Sequence, residues 1–165
     1  MSLAPAPLTA SHELAEFSCG EPALDDWLQR RALANQATGA RRSYVLAEGR
    51  RVIGYYALAS GSVAASDAPG KIRRNMPDPL PVMVLGRLAI DRAWQGKGLG
   101  ADLLRDAVLR TLQAAEIAGI RAMLVHALND RAAAFYVASG FQPSPIRPLT
   151  LFLPLHPPPL QPNSV

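Results

Sequence analysis

The chain has 165 residues, 49% of them hydrophobic and 18% charged, which fits one globular domain around one sizeable core. No run of about 18 apolar residues occurs, so no membrane-spanning helix is expected. Met1-Ser2-Leu3-Ala4-Pro5-Ala6-Pro7 lacks the basic and apolar regions of a secretion signal. Cys19 is the only cysteine, which excludes a disulfide within the chain and fits a cytoplasmic setting. The net charge of +4 is mild, but Arg30-Arg31, Arg41-Arg42, Arg50-Arg51 and Arg73-Arg74 form four basic pairs. Any one pair reads equally well as solvated surface. As a set they point to an anionic ligand or an RNA backbone.

In chain order, residues 1–16 carry few structural signals. A helix is expected over 22–38, where Pro22 suits a first turn, Leu24, Trp27, Leu28 and Leu33 recur at near-helical spacing, and Gly39 can close the end. A strand pair follows at 44–47 and 52–63, turned at Gly49. Residues 66–81 hold Pro69, Gly70, Pro77, Pro79 and Pro81 and read as a long loop, made basic by Lys71, Arg73 and Arg74.

The apolar run 82–90 suggests a central strand buried on both faces, and 91–95 a loop. A helix then starts at Gly98. Its apolar stripe is Leu99, Leu103, Leu104, Ala107, Val108, Leu112 and Ala115, and Gly119 ends it. Residues 120–127 form a further strand. Asn129 or Asp130 can cap a short helix closed by Gly140, and 149–155 makes the last strand. The order predicts an α/β fold, a mixed central sheet flanked by helices. One domain is expected over 1–155, with a Pro-rich, disordered tail at 156–165.

Gln95-Gly96-Lys97-Gly98-Leu99-Gly100, between a strand and a helix, is the chemical signal. Small residues let backbone N–H groups approach a phosphate, and the helix start adds a positive dipole end. A mononucleotide P-loop fails, because Gly98 follows Lys97 where Ser or Thr is needed. Gly96, Gly98 and Ala101 satisfy a dinucleotide pattern, yet five loop residues separate them from the strand, and Glu116 falls inside the helix. A helix start with permissive glycines and no ligand is the remaining bland alternative.

Gln95-x-x-Gly98-x-Gly100 after an apolar strand resembles the acetyl-CoA-binding motif of the GNAT N-acetyltransferase superfamily. Asn129-x-x-Ala132-x-x-Phe135-Tyr136, followed by Gly140-Phe141, resembles its next motif. The resemblance implies the GNAT fold, with a splayed strand pair in the sheet. It implies that the strand end at Leu88, Ala89 and Ile90 offers backbone groups to the pantetheine arm. It also implies that Gln95, Gly96, Lys97, Gly98, Leu99, Gly100 and Ala101 hold the pyrophosphate of acetyl-CoA. Asn129 and Phe135 are expected beside the cofactor, and Tyr136 matches the general acid. A phenol with a reference pKa of about 10 carries its proton at neutral pH. A packed core aromatic is the alternative for Tyr136.

No general base stands out. His126 reads better as a satisfied strand histidine. An α-amine titrates near about 7.7–8.0 and needs less help than a lysine, so the missing base favours an α-amino substrate.

Phe17-x-Cys19-Gly20, Leu24-Asp25-x-Trp27-Leu28, Ala32 and Asn35 are similar to the opening of TacT-like toxins. So are Val84-Leu85-Gly86-Arg87-Leu88-Ala89-Ile90-Asp91, Val125-His126-Ala127, Ser144-Pro145 and Leu149-Thr150-Leu151. That resemblance implies acetylation of charged tRNA, a ribbon-helix-helix antitoxin and often a homodimer; no metal and no membrane partner are expected. Arg41, Arg42, Arg73, Arg74 and Arg87 are the expected tRNA-binding residues, because Arg suits phosphate. Pairing of Arg87 with an acid is its structural alternative. Competing functions are an acetyltransferase for a small amine or a peptide, and a non-catalytic CoA-binding module.

Overall fold

The computed structural model describes residues 3–155, so the Pro-rich stretch expected to be disordered lies outside the described residues. Among the described residues seven strands follow the sheet order β1-β2-β3-β4-β5-β7-β6. The chain divides into two compact units, Met1–Ser60 with Val84–Val108, and Gly61–Met83 with Leu109–Val165.

In the first unit, β1 (Ala6–Pro7) pairs antiparallel with β2 (Arg42–Glu48), Ala6 facing Val45. The helix expected over 22–38 is two helices, α1 (Pro22–Arg30) and α2 (Ala32–Thr38). Arg31 breaks it at φ −119°, outside the helical range. The break has a packing reason. Ala32 is buried while Leu33 stays exposed, and α2 is tied to β2 where Gln36 Oε1 accepts the Ser43 amide at 2.7 Å. Gly39 closes α2 at φ 76°, a conformation that glycine adopts without penalty.

β2 pairs antiparallel with β3 (Arg51–Val63). Tyr55 of β3 is the centre of this unit's core. It meets Phe17 edge-on at 5.5 Å and stacks on Trp27 at 6.1 Å. Its hydroxyl donates to the Leu24 carbonyl at 2.7 Å. Each aromatic pair adds about 0.5–1.5 kcal/mol beyond its buried area.

β4 (Leu80–Ile90) starts two residues before the expected point. It is not buried on both faces: Leu80, Val82, Leu85 and Ala89 are buried and the rest half-buried, because Gly86 and Arg87 interrupt the apolar run. α4 (Leu99–Ala118) buries Leu103, Leu104 and Ala107. A Cβ at Gly54 would come within 2.8 Å of Ile90 Cδ1, so the bare backbone there lets Ile90 and α4 close onto β3.

In the second unit the expected loop over 66–81 is partly ordered. A 3-10 turn spans Ala65–Asp67 and a short α3 spans Gly70–Arg73. Ala68 and Ile72 are buried, and Ser144 Oγ donates to the Asp67 carbonyl at 2.6 Å. In the second half of α4 the buried residue is Thr111, not Leu112 or Ala115. β5 (Ala122–His126) pairs antiparallel with β7 (Thr150–Pro154), and β7 with the short β6 (Gln142–Pro143). The Arg121 amide reaches the Pro81 carbonyl of β4 at 2.9 Å. Between β5 and β6 lies α5 (Asp130–Ala138). No helix among the described residues is long and apolar enough to cross a membrane.

Candidate active site

The first unit carries the expected cofactor turn. Asp91 ends β4. Its carboxylate accepts the Ser18 amide and the Ala93 amide, both at 3.0 Å, and lies 4.0 Å from Arg51. Residues 92–94 then form one 3-10 turn. Gly96 and Gly98 sit at φ 79° and 80°, and a Cβ on either would meet nothing within 4 Å. These glycines therefore serve backbone conformation, not packing, and the space before them is open. The first bond of α4 runs from the Asp102 amide to the Gly98 carbonyl at 3.2 Å. The amides of Gly98, Leu99, Gly100 and Ala101 are thus the ones a helix start leaves without intrahelical acceptors.

Two residues of the turn act differently from a simple cradle. Gln95 Nε2 donates to the carbonyls of Cys19 and Ile90, both at 2.8 Å. Its amide points to the Arg92 carbonyl at 3.4 Å. Gln95 staples the turn to β4 and to the N-terminal segment, so its contribution is to shape. Lys97 places its ammonium 5.1 Å over the Trp94 ring. The four first-turn amides, the open approach over two left-handed glycines and an exposed lysine suit a pyrophosphate. Leu88 and Ile90 are half-buried and Ala89 is buried at the end of β4.

The same unit gathers basic side chains. The Arg87 guanidinium lies 4.2 Å over the Trp27 ring. Burial pushes the Arg87 guanidinium down from its usual range, Tyr55 opposes this, and the like charge of Arg41 adds to it. The expected alternative, Arg87 paired with an acid, is not what the structure has. Among the described residues neither Arg41, Arg42 nor Arg87 has a carboxylate within 4.0 Å, whereas Arg30, Arg50 and Arg51 do. Two of the four Arg pairs are therefore at least partly neutralised. Arg73 and Arg74, in the second unit, are exposed and likewise unpaired among the described residues.

The second unit carries Tyr136. It is 6% exposed, with Phe135 edge-on at 5.1 Å and Phe141 at 5.5 Å. Burial pushes its phenol up to about 12. Tyr136 is thus both a packed aromatic and a firmly protonated phenol. Asn129 caps α5, its Oδ1 accepting the Ala132 amide at 2.9 Å. His126 is exposed and bonds Thr150 Oγ1 through Nδ1 at 3.0 Å, the satisfied strand histidine expected. Among the described residues no group of three or more His, Cys, Asp or Glu could hold a metal. Trp27, under Arg87, and Asp91, bonded to Ser18 and Ala93, stood in the TacT-like motifs, but sequence reading assigned neither a role. Trp27 looked like an ordinary helix core residue, and Asp91 like a loop residue.

A family model described as an acetyltransferase (GNAT) domain matches residues 39–143. The chain belongs to the GNAT acetyltransferases. It is 57% identical over 150 residues to the tRNA-acetylating toxin of Mycobacterium tuberculosis, covering 91% of this chain and 90% of that protein. The structure of AtaT complexed with acetyl-methionyl-tRNAfMet superposes with a TM-score of 0.87 at 34% identity, covering 93% of this chain and 95% of AtaT. An AtaT mutant toxin bound to the C-terminus of the antitoxin AtaR and acetyl-CoA gives 0.80 at 34% identity, covering 92% of each chain. As a GNAT member the chain is an acetyl-CoA-dependent acetyltransferase.

Proposed function

We propose that this chain moves an acetyl group from acetyl-CoA to the α-amino group of an aminoacyl-tRNA, and so blocks translation. The observation that carries this is the 57% identity, over nine-tenths of the chain, to a tRNA-acetylating toxin. Arg41, Arg42, Arg73, Arg74 and Arg87, without a carboxylate partner among the described residues, support it, because an RNA acceptor needs cations not already neutralised.

Acetyl-CoA supplies the acyl group already activated as a thioester. In this reading the amides of Gly98, Leu99, Gly100 and Ala101 hold the pyrophosphate, with Gly96 and Lys97 at its edge and Gln95 bracing the turn. Leu88, Ala89 and Ile90 line the pantetheine arm with backbone groups, and Asn129 and Phe135 keep the cofactor-binding role that the family motif implies. The neutral amine nitrogen bonds to the acetyl carbon as the carbon–sulfur bond breaks. Tyr136 donates its hydroxyl proton to the departing sulfur. A phenol raised to about 12 is a weak acid beside a thiol near about 8.5. Tyr136 therefore gives its proton only as the bond breaks, and is reprotonated by the proton that the nitrogen loses on becoming an amide. No base is assigned, because an α-amine is substantially neutral at physiological pH.

Residues 1–155 act as one acetyltransferase domain in this reading, at work in the cytoplasm. A ribbon-helix-helix antitoxin and a homodimer complete the proposal, and the AtaT structure with the AtaR C-terminus supports an antitoxin partner. A cell-free translation reaction tests the function. Protein synthesis should stop when the enzyme and acetyl-CoA are added together, and continue when either is omitted. Inhibition without acetyl-CoA would contradict the reading.

A further inference from the structure

The Arg87 guanidinium is held by a stack, not by charge. Tyr55 of β3 supports Trp27 of α1, their rings 10° from parallel, and Trp27 supports Arg87 at 4.2 Å. The Tyr55 hydroxyl fixes α1 through the Leu24 carbonyl, so the platform does not slide. Arg41 comes to the same stretch of β4. Its Nη1 lies 3.3 Å from where a Cβ on Gly86 would stand. Gly86 is thus the space that Arg41 uses, directly before Arg87. Both arginines are half-buried, and among the described residues no carboxylate neutralises either.

Two like charges brought to one place without an acid destabilise the free protein. A shared anion removes that cost. Arginine forks take phosphate oxygens in two-point fashion, and a stacked guanidinium presents its edge ready oriented.

We propose that Arg41 and Arg87 grip one phosphodiester of the RNA acceptor's 3′ strand, with Trp27 as the positioning residue that sets the plane of Arg87. This rests on the charged-tRNA reading and names the part of the RNA recognised in the first unit. The phosphate is shared, so the two arginines act as one site. Stacking on the Trp27 face favours one orientation of the guanidinium.

The experiment measures binding of charged tRNA to the full chain across a salt series, alongside acetyl-CoA affinity. One phosphate on a single strand contributes about 0.7 to the slope of log K against log salt. The double variant Arg41→Gln with Arg87→Gln should lower the slope by about 0.7, with acetyl-CoA affinity unchanged. Arg87→Lys keeps the charge but not the planar fork. It should raise KM for charged tRNA about tenfold while preserving most of the slope. Trp27→Leu should do the same, and Trp27→Phe should restore much of the loss by keeping an aromatic face. An unchanged slope in the double variant overturns the site. A loss of about 1.4, two single-strand phosphates' worth, overturns the sharing. Weakened acetyl-CoA binding assigns the pair to the cofactor's phosphates and overturns it too. If wild-type enzyme acetylates charged tRNA and these outcomes appear, the clamp alone fails. If wild-type enzyme does not, the charged-tRNA reading fails first.

Discussion

Tyr136 shows how burial and chemistry combine at one side chain. Its ring packs between Phe135 and Phe141, and that packing raises its phenol to about 12. The proton is therefore still present at the mildly alkaline pH where an α-amine is mostly neutral. Tyr136→Phe keeps the ring and removes the proton. It should lower kcat by about 10²–10⁴ and leave acetyl-CoA affinity unchanged, as single-turnover kinetics and calorimetry would show. Full activity in that variant would remove Tyr136 from the reaction.

The pH profile carries a second prediction. With charged tRNA as acceptor, kcat/KM should rise with pH through the amine's pKa, about 7.7–8.0 for an ordinary α-amine. It should show no falling limb from Tyr136 below about pH 11, because its titration lies near 12. A cap at Asn129 or Asp130 was legible, and the bond present is that of Asn129. The fate of Arg87 was not legible. Nothing in a linear sequence says that Trp27, 60 positions earlier, lies under it, since that pairing depends on how α1 packs against β3 and β4.

At the scale of elements, the glycine turn is where sequence and conformation agree most directly. Gly96 and Gly98 occupy left-handed backbone, and open space surrounds both. Alanine at 98 would fit sterically and be strained conformationally, at about 1–2 kcal/mol. If that strain falls on the binding-competent turn, acetyl-CoA binding weakens about 5- to 30-fold, with little change in Tm. Normal cofactor affinity in Gly98→Ala would show that the turn's shape does not matter to the ligand.

The larger elements were readable because they carry strong periodicity, as in α4 and β3. Three features were not. The break at Arg31 comes from tertiary packing of Ala32 and the Gln36–Ser43 bracket. β1 is two residues long and includes a proline, which no strand pattern announces. The 66–81 segment looked like a plain loop because its prolines and Gly70 hide the buried anchors Ala68 and Ile72.

For the molecule as a whole, Cys19 and Tyr136, together with Tyr55, which burial also pushes up, make stability depend on alkaline pH. Burial and then the Asp25 side chain push the Cys19 thiol up to about 11, and burial pushes Tyr136 up to about 12. A group whose pKa is raised on folding binds its proton more tightly when folded. Its stabilisation is complete below the unfolded pKa and is lost as pH rises through the folded one. Tm should hold steady up to about pH 8.5, where an unfolded thiol begins to titrate, and decline from there toward pH 12. Cys19→Ser should flatten the first part of that decline. A Tm that rises between pH 9 and 11 would contradict the assignment of these groups.

The basic pairs were visible in the sequence, but not which of them remain free. Arg30, Arg50 and Arg51 have carboxylate neighbours, and among the described residues Arg31, Arg41, Arg42, Arg73, Arg74 and Arg87 do not. That division turns a mild net charge into a specific expectation about RNA.

The most direct measurement gives the enzyme labelled acetyl-CoA with the same tRNA in its charged and uncharged forms. The account predicts label on the charged form alone, released by mild base as an N-acetyl amino acid. Label on uncharged tRNA, or label on a free small amine with none on charged tRNA, would contradict it.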